Sequence, residues 1–202
     1  IPLWNGAERS PEYKNAMRYL KRRDITQREI LKYGIGYCEE GLYRYRIIIP
    51  SYTNDGTLNY FVGRDYYGGS MKYKNPRVSK DVVGFESMID WNQPVILCEG
   101  VFDAIAIKRN AIPLFGKTLP PQLLKRLVQH KVKKLYLILD SDAQKDSMKI
   151  VDKLKSYQID VNMITLKDKD PSELGFEKTI NLIKQTKDSL SFSDIMKMKL
   201  GA

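Results

Sequence analysis

The sequence predicts an α/β protein in which an N-terminal α+β region precedes a mostly parallel sheet flanked by helices, with a short helical C-terminal tail. The parallel sheet is predicted by four apolar runs after about residue 93, namely PVILC, AIPLF, KLYLIL and DVNMITL. Such runs, bounded by polar residues, are typical of buried strands. Helix-like segments alternate with them, which is the pattern of βα units. A hairpin signal before residue 93 predicts antiparallel strands there.

Two helices are predicted at the start of the N-terminal region. Ser10 and Pro11 precede EYKNAMRYLKRR, so we expect Ser10 as the N-cap and Pro11 in the first turn. Thr26 is expected to cap a second helix, TQREILKYG, which Gly34 ends. The hairpin follows as a strand over residues 43–52, YRYRIIIPSY, a turn, TNDG, and a returning strand, TLNYFVGRDYYG.

The same patterns predict three parts of the chain. Residues 1–92 form a basic α+β subdomain that ends in the linker-like stretch GGSMKYKNPRVSKD and the segment after it. Residues 93–175 form the parallel-sheet domain, with connecting helices predicted in VFDAIAIKRN, PPQLLKRLVQH and SMKIVDKLKSYQ. Residues 176–202 form the tail, with helices predicted in FEKTINLIKQ and FSDIMKMKL.

Composition excludes several classes of protein. Two cysteines, Cys38 and Cys98, and the single His130 argue against a disulfide scaffold, a zinc site and a histidine-based catalytic triad. Cys98 is expected in the core and His130 on the surface. No run approaches the roughly 18 apolar residues of a membrane span, and no signal peptide is evident, so we expect no membrane partner and a cytoplasmic location. The net charge of +10, from 34 Lys and Arg against 24 Asp and Glu, favours a polyanionic partner.

Carboxylates follow two of the predicted parallel strands directly. Glu99 follows PVILC, and Asp140 and Asp142 follow KLYLIL. The carboxyl ends of parallel strands meet at one edge of a sheet, which is where open α/β sheets bind ligands. Carboxylates gathered there repel one another unless a cation joins them, and ligands that are all oxygen select Mg²⁺ or Mn²⁺. The sequence therefore predicts a divalent metal site at this edge.

Further acidic residues lie near these strand ends, and two of them, Asp103 and Asp170, have two readings each. Asp103 lies in the first turn of the helix after Glu99, where it either joins the acidic site or complements the helix dipole. Asp168 and Asp170 follow the strand DVNMITL, and Asp170 either caps a helix that begins at Pro171 or binds a second metal. Two metals suit phosphoryl transfer, because they clamp the attacking and leaving oxygens.

A short Gly-Lys-Thr loop follows the strand AIPLF. Residues 115–118, Phe-Gly-Lys-Thr, match the end of a phosphate-binding P-loop, but the earlier glycine of that motif is absent, so we reject a P-loop. The loop remains a candidate contact for a phosphate beside the acidic edge.

About residues 93–175 resemble the Toprim domain of primases, topoisomerases and some nucleases. The resemblance rests on Glu-Gly with a nearby Asp, followed by Asp-x-Asp, in a βαβ alternation. The region before it is similar to bacterial and phage DNA primases of the DnaG type. The shared series is a helical segment ending in Gly-x-Gly-Tyr, an Arg-led strand before a Pro, a Gly-Arg strand end, Lys-Tyr-x-Asn, and a Lys-led segment. With this series the resemblance extends over residues 12–175.

The resemblance implies roles for particular residues. Glu99 would be the catalytic or metal-positioning acid, and Asp140 and Asp142 would be metal ligands. Asp103 would be a further catalytic acid and Asp170 a further metal ligand. The positions that would face nucleotide or template are basic or polar: Arg46, Arg64, Lys72, Asn75 and Lys80.

The chain departs from this family at two points. It carries no Cys/His spacing for the zinc-ribbon module that precedes the core in family primases, and Ser141 stands where many members have Gly. The resemblance nevertheless implies a primase catalytic core that makes short RNA primers on single-stranded DNA during DNA replication, using Mg²⁺ or Mn²⁺ at two or more sites. The implied partners are ribonucleoside triphosphates, the RNA–DNA hybrid product and a replicative helicase. A Toprim-type nuclease and a non-catalytic single-stranded-DNA-binding module remain alternatives, and the Lys/Tyr/Ile-rich composition suggests a phage origin in a host cytoplasm.

Overall fold

The computed structural model describes residues 1–3, 10–139, 144–166 and 171–186. It contains two compact units, residues 1–79 and 80–202. The predicted site residues Asp140, Asp142, Asp168 and Asp170 and the second tail helix lie outside the described residues. Within the described ranges, none of the helices combines the length and apolar character that a membrane span requires.

The two predicted helices of the first unit are present. Helix α1 spans Pro11–Lys21, and the Ser10 hydroxyl accepts a hydrogen bond from the Tyr13 N–H at 3.0 Å, as an N-cap does. Helix α2 spans Gln27–Lys32 and follows Thr26, whose N–H donates to the Glu29 carboxylate at 3.0 Å. Both predicted helix starts are confirmed, because their signals depend only on residues within one turn.

The first unit's sheet is antiparallel with strand order β1-β2-β3, where β1 is Gly36–Cys38, β2 is Arg46–Tyr52 and β3 is Leu58–Asp65. The predicted hairpin of β2 and β3 is confirmed, although β2 begins three residues later than predicted because a 3-10 turn occupies Gly41–Tyr43. Strand β1 was not predicted, since three residues are too few to show a period.

Residues 80–92 pack within the second unit, whereas the sequence prediction placed them in the first subdomain. Val83 and Phe85 are buried there. The Asp81 carboxylate accepts a hydrogen bond from the Gln122 N–H at 2.7 Å, and the buried Glu86 forms an ion pair with Arg126 at 2.7 Å. These polar contacts tie the segment to the fourth helix of the chain.

The second unit is built on a parallel sheet of strand order β5-β4-β6-β7. The predicted four-strand alternation is confirmed, with its strands at Val95–Cys98 (β4), Ala111–Pro113 (β5), Lys134–Leu139 (β6) and Asp160–Thr165 (β7). Every pair of neighbouring strands in this sheet runs parallel. Parallel pairing requires crossover connections, and helices provide them.

The helices of this unit cover both faces of the sheet. They are α3 (Val101–Ile107), α4 (Pro121–Gln129), α5 (Gln144–Lys155), α6 (Pro171–Leu174) and α7 (Phe176–Gln185). Side chains of α4 and α5 share one apolar core with alternate residues of the strands, whereas α3, α6 and α7 contact one another outside that core. As predicted, Cys98 is fully buried and His130 is exposed; the His130 ring stacks on Trp91 at 4.5 Å.

Candidate active site

The strands of the parallel sheet end level with one another beside Glu99. Cys98, the last residue of β4, pairs with Pro113 of β5 on one side and with Ile138 of β6 on the other. Glu99 therefore extends from the carboxyl edge of the sheet between the loop after β5 and the end of β6 at Leu139. In sequence, the predicted Asp-Ser-Asp run begins one residue beyond that end.

The strand order also places a topological switch point at Glu99. The chain passes from β4 to β5 on one side, and the next crossover carries it back past β4 to β6 on the other side. Ligands of open α/β sheets bind in the crevice outside the strands where this reversal occurs. The crevice here lies between β4 and β6, so the two strands that precede the predicted metal ligands flank it.

The turn after Glu99 is held by Asp103. Its carboxylate accepts a hydrogen bond from the Gly100 N–H at 3.0 Å, and the residue is only 8% exposed. Glu99 itself is partly buried. Asp103 thus supplies a hydrogen-bond acceptor for a backbone N–H at the start of α3 and fixes the turn after Glu99. The geometry supports the structural reading of Asp103, and its catalytic role stays a prediction.

Lys80 contacts the loop that follows β5 at the same edge. The Leu114 N–H donates to the Cys98 carbonyl at 2.9 Å, which continues the strand pairing into the loop, and the Lys80 ammonium donates to the Phe115 carbonyl at 2.9 Å. Phe115 itself has a left-handed backbone, with φ of 55°. Lys80, predicted from the family resemblance to contact nucleotide or template, therefore lies against the Gly-Lys-Thr loop.

The charge of Lys117 in that loop influences the Asp146 carboxyl in the first turn of α5. A hydrogen bond from Lys149 and the charge of that lysine are the main causes that lower the pKa of the Asp146 carboxyl, and the charge of Lys117 adds to them. Because β4 separates β5 from β6 in the sheet, Lys117 and Asp146 follow strands on opposite sides of Glu99. The Gly-Lys-Thr loop and the first turn of α5 therefore follow the two strands that flank β4, whose end carries Glu99.

Metal binding at this edge depends on residues outside the described part of the chain. Among the described residues, no three His, Cys, Asp or Glu side chains are grouped so as to hold an ion. Asp140, Asp142 and Asp170 are outside that set, so their role as ligands stays a prediction. The partly buried carboxylate of Glu99, at a level strand end beside the switch point, fits a hard cation that prefers oxygen ligands.

In the first unit, residues 72–75 lie along β3 as an added edge segment. The Asp65 N–H donates to the Lys72 carbonyl at 3.0 Å, and the Lys74 N–H donates to the Gly63 carbonyl at 2.8 Å. The Arg46 guanidinium secures this edge segment by donating to the carbonyls of Met71 at 2.6 Å and Lys72 at 3.3 Å.

Arg64 and Asn75 meet at the same edge. The Arg64 guanidinium lies over the Tyr73 ring at 4.6 Å and 5.9 Å from the Tyr19 ring. The Asn75 side-chain oxygen accepts a hydrogen bond from the Gly63 N–H at 3.4 Å. The structure thus brings together four of the five predicted nucleotide- or template-facing residues, Arg46, Arg64, Lys72 and Asn75, although Arg46 and Asn75 also hold the edge segment in place.

Gly63 makes the edge segment possible. A Cβ added at this residue would stand 2.4 Å from the Lys74 carbonyl oxygen, a distance that real Cβ atoms do not reach. Only glycine lets the two backbones approach so closely. The Gly-Arg pair near the end of β3 therefore needs its glycine for close backbone packing, and its arginine lies over the Tyr73 ring.

Comparison with known proteins agrees with this geometry. A family model described as Toprim-like matches residues 96–175. The uncharacterized protein MG010 of Mycoplasma genitalium is 32% identical over 166 residues, which cover 76% of this chain and 73% of that protein. The DNA primase of Thermotoga maritima is 25% identical over 230 residues, which cover 89% of this chain and 40% of that protein.

A solved structure of the DnaG primase catalytic domain bound to single-stranded DNA has the same fold. The TM-score is 0.80 at 18% identity, with 96% of this chain and 77% of that chain covered. The chain belongs to the DnaG-type Toprim primase-core family. The parallel sheet of the second unit is accordingly its Toprim domain, and Glu99 lies at the carboxyl edge of that domain.

The aromatic residues of this family member divide between core and surface. Tyr60 is buried and Tyr43 packs edge-on against Phe61 at 5.1 Å, whereas Tyr67 is 60% exposed. The sequence patterns did not single out Tyr19, which lies beside Arg64, or the other polar residues on its helix. Their spacing of three and four residues along α1 was the available signal.

Proposed function

We propose that this chain is the catalytic core of a primase, which synthesises short RNA primers on single-stranded DNA by metal-dependent nucleotidyl transfer. The observation that carries the proposal is the position of Glu99 at the level ends of β4 and β6, beside the switch point of a Toprim domain. An acid held there is placed to serve a ligand bound at the carboxyl edge.

Glu99, Asp140 and Asp142 would hold Mg²⁺ or Mn²⁺, and Asp170 would contribute to a second ion. When bound, such ions neutralise the triphosphate and orient the attacking 3′-hydroxyl. Lys80 and the Gly-Lys-Thr loop beside it supply positive charge for phosphate at the same edge. In the first unit, the exposed Lys72 and the guanidinium of Arg64 are available to bind phosphates of nucleotide or template.

The partners of this activity would be a single-stranded DNA template, the four ribonucleoside triphosphates and the RNA–DNA hybrid that results. A replicative helicase is the expected protein partner, and the work would take place in the cytoplasm. The excess of basic residues supports a nucleic-acid partner, because it favours association with a polyanion.

The test separates extension from initiation. The protein is incubated with Mg²⁺ or Mn²⁺ and labelled ribonucleotides, first on bare single-stranded DNA and then on DNA carrying an annealed RNA primer, and the products are resolved on a denaturing gel. Glu99→Gln and Asp142→Asn should lower synthesis by about 100-fold or more, since they remove charge from the proposed metal site. Asp160→Asn is the matched control, because this exposed aspartate begins β7 at the opposite edge of the sheet.

Synthesis that persists in Glu99→Gln and Asp142→Asn at the level of the control would contradict the proposed roles of these acids. Metal-dependent cleavage of DNA without synthesis would identify a Toprim-type nuclease instead. DNA binding without synthesis or cleavage on either substrate would identify a non-catalytic binding module.

A further inference from the structure

An apolar groove of about 500 Å³ lies in the second unit, between α4 and the end of α5. Helix α4 contributes Pro121, Leu124 and Val128 to its lining, and Lys153 and Tyr157 lie on the side of α5. Its volume is in the range of protein pockets that bind ligands. We call it the α4–α5 groove. The proposed nucleotidyl transfer uses none of the residues that line it.

The lining of the α4–α5 groove is continuous with the apolar core. Leu124 is buried and belongs to the core that α4 and α5 share, and Leu119 packs against that core. Val128 is 44% exposed and Tyr157 is 47% exposed, and these are the two exposed large apolar side chains in the described part of the second unit. Both line the same groove, and exposed apolar surface gathered in one place is typical of an interaction site.

The α4 side of the groove is a stripe along one helix face. Pro121, Leu124, Lys125, Val128 and Gln129 are spaced by three and four residues, so their side chains share that face. The stripe is about 12 Å long, from the rise per residue of an α-helix. A groove of this length fits about two turns of a partner helix, whose apolar side chains recur every three or four residues.

Positive charge borders the apolar lining. Lys125 and Lys153 are exposed, and within the described residues neither forms an ion pair. The Lys153 ammonium lies 5.6 Å from the centroid of the Tyr157 ring, which keeps its charge at the wall of the groove. Residues 119–134 carry five Lys and Arg and no Asp or Glu, and no carboxylate lines the groove. The complementary ligand therefore combines apolar side chains with negative charge.

We propose that the α4–α5 groove binds an acidic amphipathic helix of a partner protein. Apolar side chains of that helix would pack on Leu124, Val128 and Tyr157, and its carboxylates would pair with Lys125 and Lys153. A nucleic acid would satisfy the lysines but offers no aliphatic side chains to the groove. A second copy of this chain would place one basic face against another, at a net charge of +10 for each chain. The proposal is independent of nucleotidyl transfer, because it concerns binding of a peptide without metal or nucleotide.

The first test is selection from a phage-displayed library of random peptides of about 12 residues, which is long enough for the two turns that the groove fits. The library is selected on the unmodified protein after depletion on Val128→Ser/Tyr157→Ser, which removes two apolar walls of the groove without a change of charge. Selected peptides should carry large apolar residues three or four positions apart with Asp or Glu beside them. Selected peptides without acidic residues, or peptides that bind the variant equally well, would overturn the proposal.

The second test measures the contribution of the lysines. A fluorescein-labelled copy of the most enriched peptide is titrated by fluorescence anisotropy. Lys125→Glu/Lys153→Glu should weaken binding by about tenfold or more at low salt, and the loss should shrink between about 50 mM and about 200 mM salt, because exposed charges are screened. Lys178→Glu/Lys184→Glu is the matched control, since it makes the same change of charge at exposed positions of α7 outside the groove.

The control pair should bind within about threefold of the unmodified protein. Equal weakening by the two pairs would show attraction by net charge alone and overturn the proposal. Circular dichroism melting checks that each variant is folded, which we expect because the four substituted groove residues are all exposed.

Two further measurements address the other occupants. An oligothymidylate of about 12 nucleotides should not displace the labelled peptide, and displacement at equal concentration would show a general polyanion surface and overturn the proposal. Sedimentation velocity should show no self-association that depends on the groove. A dimer of the unmodified protein that is lost in Val128→Ser/Tyr157→Ser would identify a second copy as the occupant and also overturn the proposal.

Discussion

Asp103 allows structural and catalytic roles near Glu99 to be separated by substitution. In the structure its carboxylate accepts the Gly100 N–H at 3.0 Å and is almost fully buried, so Asp103→Ala removes the acceptor and leaves a backbone donor at the start of α3 without its partner. Asp103→Asn keeps an acceptor oxygen of the same reach and removes only the charge. The two variants should therefore differ in stability.

The size of the difference follows from the interactions that each substitution removes. A hydrogen bond to a charged acceptor contributes about 1.5–3 kcal/mol, and an acid in the first turn of a helix adds about 0.3–1 kcal/mol. Water can reach part of this turn, because Gly100 is only partly buried, so we take about 2 kcal/mol for Asp103→Ala. In a protein of about 200 residues this lowers Tm by roughly 4–8 °C. Asp103→Asn should lose about 1 kcal/mol or less, or roughly 2–4 °C at most.

Differential scanning calorimetry measures the stability of both variants, with Asp160→Ala as a control at an exposed aspartate. The RNA-extension assay is run on the same samples. If Asp103 only holds the turn, Asp103→Asn should retain synthesis while Asp103→Ala loses stability and synthesis together. A Tm for Asp103→Ala within about 1 °C of the unmodified protein would refute the structural reasoning. Loss of synthesis in a stable Asp103→Asn protein would instead assign Asp103 to catalysis.

Two further predictions concern the first unit. Gly63→Ala should displace the edge segment, because the new Cβ would stand 2.4 Å from a backbone oxygen. Gly69→Ala is the control, since its new Cβ would meet nothing closer than 3.5 Å. Faster amide hydrogen exchange at residues 72–75 in the Gly63→Ala variant alone would confirm the prediction. A hydrogen bond from Tyr37 is the main cause that holds the pKa of Glu39 below its usual value of 4.5. The ionised carboxylate therefore stabilises the fold above pH 4.5, and this contribution to stability is lost as the pH falls through the lowered pKa. Thermal melts between about pH 5 and pH 3 should therefore show a smaller loss of Tm in Glu39→Gln than in the unmodified protein, and an equal or larger loss would contradict the assignment.

The elements with local signals were predictable from the sequence. Helix α1 was predictable because a serine caps it and a proline occupies its first position. Strand β6 was predictable because its apolar run ends abruptly at polar residues. The hairpin of β2 and β3 was predictable because its turn residues and flanking β-branched and aromatic residues are contiguous. Strand β1 and the edge segment escaped prediction, because short extended pieces are strands only through their partners.

The candidate site shows the same division. Sequence named Glu99 from its place after an apolar run, and it named Arg64 and Lys72 from an ordered series of motifs. It did not show that Asp103 anchors the turn beside Glu99, or that Arg46 holds the edge segment that carries Lys72. Those relations are hydrogen bonds between side chains and backbone that the fold alone brings together. The roles of Asp140, Asp142 and Asp170 remain predictions.

Local patterns in the sequence predicted most of the helices and strands, apart from β1, and the acidic and basic residue types at the ends of particular strands, because capping, turn chemistry and hydrophobic period act over a few neighbouring residues. The three-dimensional structure was needed to show the strand order β5-β4-β6-β7, the switch point beside Glu99, the inclusion of residues 80–92 in the second unit and the edge segment along β3. The physical reason is that these features come from burial and pairing between segments distant in the chain, for which no local pattern specifies the partner.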